Sequence, residues 1–352
     1  MSVDAQSGHK HRAAAGRSRY LPAFALFCAD ILLYAACIAA ALAPLPLPVS
    51  LFASFWAGIM IGIFFTLGHD ACHQSLTPSR GVNRWLARLS YLPAAHCASL
   101  WAVEHNQGHH AFTNLKGRDY VWAPMSPEDY RRLSLPRRWL YRLYRGPFGP
   151  MPYYLVEIWW KKLFLPIDPA VRRDWRLHFP DSAFAVIGHL ALAAALIWLG
   201  TALSPQRPLW LTVVLAWAIP FAVWNWLMGI IVYVHHTHPS VRWFADAEAW
   251  KLERASLFGT LHVRLPQPLH FLCNNIMEHN AHHLQPNLPC YRLKPAQARL
   301  RATVPEIQFV KLNLFSYLEL LRHCRLFDTA AARWVDYDGT PTGPVLGMPG
   351  KA

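Results

Sequence analysis

The chain has 352 residues, of which 54% are hydrophobic, 15% are charged and 13% are aromatic. An ordinary soluble domain has about 45–50% apolar and about 25% charged residues, so this composition excludes a typical soluble globular protein. The formal net charge of +14 is typical of basic loops on one membrane face that contact anionic lipid head groups or an acidic partner protein. No basic run is joined to a recognition motif, so nucleic acid is not expected as a partner.

Four stretches of the sequence are long and apolar enough to cross a bilayer. About 30 Å of hydrocarbon requires about 20 apolar residues at 1.5 Å per residue. Short and nearly uncharged connections join the first stretch to the second and the third to the fourth, which predicts two membrane hairpins. The predicted spans are residues 21–42, 49–67, 182–203 and 209–234.

The basic residues predict the orientation of these spans. Arginine and lysine are concentrated in the N-terminal tail and in residues 131–145, so the positive-inside rule places both termini and the middle region in the cytoplasm. The compact length favours a bacterial inner membrane. Two aromatic and apolar segments, 85–101 and 153–165, are typical of helices that lie in the membrane interface.

The sequence therefore predicts one membrane domain over residues 1–352, divided by the spans. The parts are a basic cytoplasmic tail (1–20), a first transmembrane hairpin (21–67), a cytoplasmic segment (68–181), a second hairpin (182–234), a further cytoplasmic segment (235–326) and a loosely ordered tail rich in Gly and Pro (327–352).

Histidines form tight clusters in the predicted cytoplasmic segments. Residues at i, i+3 and i+4 share one face of a helix, so the members of each cluster are predicted to point in the same direction. The topology brings all the clusters to one membrane face. The three main clusters are His69 and His73; His105, His109 and His110; and His279, His282 and His283, and a less regular group of His235, His236 and His238 follows the fourth span.

The number of imidazoles predicts how many metal ions they bind. The three clusters supply eight imidazoles, whereas one zinc ion takes four ligands. Eight or nine nitrogen ligands fit two ions of higher coordination, and imidazole suits iron, copper and zinc alike. The sequence therefore predicts an all-α integral membrane protein, with four transmembrane helices and a cytoplasmic helical cap that holds a histidine-rich di-metal site.

The remaining histidines have simpler interpretations. An isolated histidine is more often satisfied by a local hydrogen bond than by a metal. Among the others, His189 is expected to pack within the third span, His96 and His262 are left open, and the rest are expected to be solvated or structural: His9, His11, His178, His270 and His323.

The three clusters resemble the histidine boxes of the membrane fatty-acid desaturase family. The matching motifs, in order and spacing, are His69-Asp70-x-x-His73, His105-x-x-x-His109-His110 and His279-x-x-His282-His283. The Gly68-His69-Asp70 lead-in and the run from His236 to Pro239 resemble the acyl-lipid Δ12/ω-3 type branch, and the resemblance covers residues 51–293. Two features depart from that branch: Ala71-Cys72 in the first box, and three residues instead of two between His105 and His109.

The resemblance implies an O2-dependent desaturase with two iron ions and O2 as co-substrate. The implied substrate is a fatty acyl lipid, acyl-ACP or acyl-CoA, and electrons come from an external donor of the ferredoxin or cytochrome b5 type. The implied iron ligands are His69, His73, His105, His109, His110, His279, His282, His283 and a ligand at the end of the fourth span. For that last ligand we expect His236, with His238 or a water held by Asn225 as alternatives.

Polar residues beside the boxes are candidates to orient the metal-binding imidazoles, because the partner of the second ring nitrogen fixes a ligand's orientation. These candidates are Asp70, Glu104, Asn106, Asn225, Glu278 and Asn280.

Two alternative functions remain open. Hydroxylases, acetylenases and carotenoid oxygenases share the same boxes, and substrate-tunnel residues decide between these reactions. A membrane protein that only binds or transports metal would instead carry ionisable residues along its spans. The predicted spans contain only Asp30 and His189, which disfavours transport.

Overall fold

The computed structural model describes residues 18–165, 174–266, 270 and 273–347. The chain divides into two compact units. We call residues 19–104 and 150–230 the span unit, and residues 105–149 and 231–352 the polar unit. The predictions made for His9, His11 and most of the basic tail lie outside the described residues.

Helices dominate both units, and two small sheets lie in the polar unit. In chain order the elements are α1 (Tyr20–Leu42), α2 (Leu47–Cys72), α3 (Arg80–Tyr91), α4 (Ala98–Val103), a π-helix (Glu104–His109), a 3-10 turn (His110–Phe112), α5 (Pro127–Arg131), α6 (Leu135–Tyr144), α7 (Pro150–Tyr153), a π-helix (Tyr154–Phe164), α8 (Trp175–Leu203), α9 (Leu209–Val213), a π-helix (Val214–Ala218), α10 (Ile219–His236), α11 (Ala247–Leu252), α12 (Ala255–Phe258), β1 (His262–Arg264), α13 (His279–Leu284), α14 (Cys290–Thr303), β2 (Phe309–Lys311), α15 (Leu314–His323), β3 (Leu326–Asp328) and β4 (Arg333–Val335).

Four helical stretches among the described residues are long and apolar enough to cross a membrane. They are Tyr20–Leu42, Leu47–Cys72, Trp175–Leu203 and Leu209–His236, which confirms the four predicted spans. The second and third are longer than the apolar stretches alone suggest, because polar residues of the flanking segments continue the same helix. The protein is therefore a multi-pass membrane protein with a mostly helical fold.

Two glycines allow close packing of helices in the span unit. Gly58 and Gly62 are four residues apart on α2, a spacing at which small residues let membrane helices approach closely. A Cβ atom at Gly58 would lie 2.6 Å from Cβ of Val223, and one at Gly62 would lie 2.7 Å from a methyl group of Leu227. Since hydrophobic burial gives little driving force between helices in lipid, this close contact contributes to their association.

The polar unit is held together by short strands and buried aromatic side chains. β1 and β2 pair in parallel with His262 opposite Phe309. β3 and β4 form an antiparallel pair with Leu326 opposite Val335. Trp334 on β4 is fully buried, and its indole nitrogen donates to the carbonyl of Val241. Residues 327–347 thus differ from the predicted loose tail, because a buried tryptophan anchors a segment whose Gly and Pro content gives no periodic pattern.

Candidate metal centre

The first histidine box lies in the last turn of α2, inside the span unit. His69 and His73 are four residues apart on this helix, and their ring centroids are 4.7 Å apart, so they share a face as predicted. Asp70 is buried, and its Oδ1 lies 3.2 Å from Nδ1 of His69. The predicted orienting role of Asp70 therefore has a matching contact.

A π-helix carries the second box. Its hydrogen bonds run from i to i+5, a geometry that is rare and often found at functional sites. His105 and His110 are five residues apart, and their Nε2 atoms are 3.0 Å apart. His109 points elsewhere, so the three side chains do not share one direction. The π-helix accommodates the three residues that separate His105 from His109.

Four buried histidines of the polar unit converge on one point. Their candidate ligand atoms all lie within 4.8 Å of one another. Nε2 of His279 is 3.3 Å from Nε2 of His236 and 3.2 Å from Nε2 of His283. We call this set the His109 group: His109, His236, His279 and His283.

The outer ring nitrogens of three of these histidines contact fixed partners. Nδ1 of His109 lies 3.1 Å from both carboxylate oxygens of Asp119. Nδ1 of His236 lies 3.1 Å from the carbonyl oxygen of Gly259. Nδ1 of His283 lies 3.2 Å from Oγ1 of Thr113. The Thr113 hydroxyl itself donates to the carbonyl of residue 109, so it is available to accept from the imidazole.

These partners decide which ring nitrogen carries the proton. A carboxylate and a carbonyl oxygen can only accept, so Nδ1 of His109 and His236 donates, and Nε2 of each neutral ring keeps its lone pair. The same holds for His283. Several unprotonated nitrogens that face one another cannot hydrogen-bond to each other, whereas a cation between them accepts all their lone pairs. The donor chemistry of the group therefore fits a metal ion.

Burial keeps the ring of His283 neutral. It lowers the pKa of His283 well below its usual 6.5, and the neighbouring His110 and His279 add to this effect. Removing a cationic ring from water is costly, so the neutral form is favoured. Neutral imidazole is the form that binds a metal.

A second set of histidines in the polar unit also converges. His110 is at its centre, because its Nε2 lies 3.0 Å from Nε2 of His105 and 3.0 Å from Nε2 of His282. We call these three residues the His110 group. The third box divides between the two groups, since His279 and His283 are one turn apart on α13 while His282 faces the other way. The prediction that the three histidines of the third box point in one direction is therefore wrong.

The other predicted orienting residues have varied surroundings. Oε2 of Glu278 lies 2.8 Å from Nε2 of His262, and Oε1 lies 3.4 Å from Nε2 of His270. Asn280 donates from Nδ2 to the carbonyls of residues 257 and 260, so it joins α12 to α13. Asn225 donates to the carbonyl of residue 221 in its own helix. Glu104 and Asn106 lie in the π-helix of the second box.

His238 has a local partner. Its Nδ1 accepts from the backbone nitrogen of Ser240 at 3.1 Å and lies 2.6 Å from the hydroxyl of that serine. Nδ1 of His238 therefore closes a local turn with Ser240. The His109 group contains His236 and not His238.

Sequence reasoning missed three residues that hold the imidazoles. Asp119, Gly259 and Thr113 lie 10, 23 and 170 positions from the imidazoles they contact, and no periodic pattern connects them to a box. His235 was named with its neighbours, and its ring stacks on that of His279 with centroids 3.9 Å apart.

Four histidines away from the boxes have hydrogen-bond partners, as expected for His178, His189 and His323, whereas the sequence left His96 open. Nε2 of His96 lies 2.9 Å from the hydroxyl of Tyr154, and burial lowers the pKa of His96 to about 3. Nδ1 of His178 lies 3.0 Å from the hydroxyl of residue 99. His189 accepts from the indole nitrogen of residue 217, and His323 lies against the carbonyl of residue 342.

A model of the fatty acid desaturase family matches residues 44–311, which is well over half of the chain. The chain belongs to this family. It is therefore a membrane oxidoreductase, and its histidine groups are consistent with a metal site.

Curated relatives cover most of the chain. An sn-1 oleoyl-lipid 12-desaturase of Picosynechococcus sp. is 28% identical over 78% of this chain and 76% of its own length. The sn-1 oleoyl-lipid 12-desaturase of Synechocystis sp. is 30% identical over 78% of this chain and 74% of its own length. A chloroplastic omega-6 fatty acid desaturase of Spinacia oleracea is 27% identical over 78% of this chain, which spans 58% of that relative.

Proposed function

We propose that this protein introduces a double bond into the acyl chain of a membrane lipid, in an O2-dependent reaction that uses two iron ions. The observation that carries this proposal is the His109 group, in which rigid partners turn several neutral imidazoles toward one point. Such a group fits a metal ion, and the family match connects it to acyl-chain desaturation.

Each ion has its own proposed ligands. We assign His109, His236, His279 and His283 to one ion. The His110 group supplies three ligands of the other ion, which leaves coordination positions for further imidazoles on a five- or six-coordinate metal. We also assign His69 and His73 as iron ligands because they form the remaining box, share one helix face and have Asp70 beside them.

Iron supplies the redox chemistry with O2 by which two hydrogens leave the acyl chain. The contribution of the protein is to hold the ligands. Asp119, Gly259 and Thr113 keep three imidazoles in the tautomer and orientation that expose Nε2, and burial keeps His283 neutral. Imidazole alone does not select iron over copper or zinc, so iron is part of the proposal.

An acyl lipid is the proposed substrate because the named relatives act on oleoyl lipid or fatty acid and this chain has four candidate spans. We propose an external electron donor of the ferredoxin or cytochrome b5 type. The basic segments support a bacterial inner-membrane location with the histidine boxes on the cytoplasmic side.

Expression in a host with a defined fatty-acid profile tests this function. Wild-type protein is compared with His109→Ala and His282→Ala, and with His178→Ala, which removes a buried histidine outside both groups. The lipids are analysed by gas chromatography–mass spectrometry after derivatisation that locates double bonds. Iron in the purified proteins is measured in parallel.

The expected result is a new double bond in the lipids of cells with wild-type protein or His178→Ala, and its loss in the two other variants together with iron. Separate analysis of phospholipid, acyl-ACP and acyl-CoA pools at early times shows which carrier is modified first. A hydroxylated or acetylenic product would assign the same centre to a different reaction. Purified wild-type protein without bound iron would refute the proposed centre.

A further inference from the structure

An exposed apolar face lies on helix α6 of the polar unit. The inner side of this helix carries Tyr141 and Tyr144, both buried. The outer side exposes Leu135, Trp139 and Leu143, with 69%, 69% and 54% of their surface accessible. These three residues are four positions apart and therefore share one stripe. An apolar face of this kind, rather than a charged one, is unusual on a helix that already buries its other side.

Helix α15 extends this apolar surface beside an open cavity. The cavity has a volume of about 940 Å³ and is lined by residues 142–147, by α15 and by Tyr337. Phe315 and Leu318 on α15 line it and remain exposed, Phe315 at 83%. Tyr317, on the inner side of α15, donates from its hydroxyl to the carbonyl of Pro147, which fixes α15 against the loop after α6.

The cavity wall carries a net positive charge. Four arginines line it with a single glutamate, Glu319, and one of these arginines, Arg325, is paired with Asp336. Arg322 is exposed, and it has no ion pair among the residues that the structure describes. The lining arginines are Arg142, Arg145, Arg322 and Arg325.

Three of these arginines are held in place by neighbouring groups. Arg145 is buried and donates to the carbonyl of residue 122, with its guanidinium 5.4 Å from the ring of Tyr141. Arg142 donates from Nε to a tyrosine hydroxyl at 2.7 Å, and its guanidinium lies 4.7 Å from the Tyr337 ring. Arg325 pairs with a carboxylate. Guanidinium groups fixed in this way lose little freedom when an anion binds.

We propose that this cavity binds the phosphate of an anionic phospholipid head group, while α6 and α15 lie on the bilayer with their exposed apolar side chains in the interface. Guanidinium groups match phosphate oxygens in charge and geometry. Leucine, tryptophan and basic residues on one amphipathic helix are typical of segments that lie in the headgroup region. This proposal concerns lipid binding at the membrane surface and does not depend on the desaturase reaction.

The apolar surroundings of the cavity favour a lipid over an acidic protein as its occupant. Phe315 and Trp139 are large and almost fully exposed, so they gain free energy only when an apolar phase covers them. A purely electrostatic protein contact at a basic patch does not require such residues. A lipid supplies both the anion and the apolar phase in one molecule.

Lipid binding to the purified full chain in detergent tests the proposal. Native mass spectrometry compares binding of dioleoyl-phosphatidylglycerol with dioleoyl-phosphatidylcholine, which has the same acyl chains without net negative charge. The variant is Arg142→Gln/Arg322→Gln. The matched control is Lys294→Gln/Arg299→Gln, which removes the same charge from two exposed positions of α14.

We expect wild-type protein and the control to prefer phosphatidylglycerol equally. The cavity variant is expected to lose about thirtyfold of this preference, since each of the two basic residues contributes about 1 kcal/mol near a membrane surface and about 1.4 kcal/mol corresponds to a factor of ten. Arg322→Gln alone is expected to lower the phosphatidylglycerol preference partially. Because Arg322 is exposed, this substitution is not expected to disturb folding. Arg322→Lys, which keeps the charge, is expected to retain most of the preference.

Three results would overturn the proposal. The first is an unchanged phosphatidylglycerol preference in the cavity variant. The second is an equal loss in the matched control, which would show an effect of overall charge. The third is displacement of the lipid by inorganic phosphate alone, which would assign the cavity to a free anion. An effect of the variant only on reduction by an acidic electron donor would likewise assign the cavity to a protein.

Discussion

Asp119 offers the sharpest test of how the proposed metal-binding imidazoles are held. Its side chain is fully buried and accepts hydrogen bonds from three directions. Oδ2 accepts from the backbone nitrogen of Asn114 at 2.8 Å, and Oδ1 accepts from that of Val121 at 3.0 Å. Both oxygens lie 3.1 Å from Nδ1 of His109. The perturbation is Asp119→Asn, which keeps the shape and replaces one acceptor with an NH2 donor.

The geometry sets the magnitude of the effect. Whichever way the new amide is oriented, its NH2 faces a backbone N–H, so one buried donor loses its acceptor. Leaving a buried donor unsatisfied costs about 1–3 kcal/mol. The imidazole of His109 also loses its charged partner, and removal of such partners typically weakens metal binding about 10–100-fold. We therefore expect lower stability of the metal-free protein and weaker iron binding together.

The assay measures the unfolding midpoint of metal-free protein and the iron retained at increasing chelator concentration. Asp129→Asn is the matched control, because Asp129 is an exposed carboxylate whose pair with Lys116 is worth about 0–1 kcal/mol. If Asp119→Asn behaves like this control in both measurements, the orienting role of Asp119 is refuted.

Three further predictions follow from the same contacts. His236→Ala is expected to weaken iron binding at least tenfold, whereas His238→Ala is expected to retain wild-type iron by elemental analysis; equal losses would contradict the ligand assignment. Because burial lowers the pKa of His283 below 6.5, only the unfolded state gains this proton as the pH falls. The free energy of unfolding of metal-free protein, measured in denaturant from pH 8 to 5, should therefore fall below about pH 6.5, with a shallower slope in His283→Gln. Gly149→Ala is expected to lower the unfolding midpoint by an amount equivalent to about 1–3 kcal/mol, since its Cβ would lie 2.2 Å from two carbonyl oxygens; Gly347→Ala, with open space around it, should match wild type.

Hydropathy and helical periodicity predict the parts of this protein that obey simple repeats. The four spans follow from the length of the apolar stretches, and the pairing of His69 with His73 follows from four-residue spacing on a regular helix. The extension of α2 to Cys72 could not be read from hydropathy, because His69 and Asp70 are polar although they are buried.

Contacts between distant loops could not be predicted from spacing. Asp119 contacts His109 because the chain turns back over residues 113–119, where Asn114 adopts a left-handed backbone with φ of 60°. Gly259 contacts His236 from a different loop through its backbone carbonyl oxygen. Every residue type has this atom, so the sequence does not show the contact. The sequence shows which histidines are available, whereas the fold decides which atom holds each ring.

The two histidine doublets show how one sequence feature contributes to both histidine groups. Successive residues of a helix point about 100° apart, so adjacent histidines cannot easily face the same point. His282 lies against His110 while His283 lies against His279, and the second box divides in the same way. Each doublet therefore contributes one imidazole to each group. Because a doublet is joined by a single peptide unit, the backbone itself limits how far the two groups can separate.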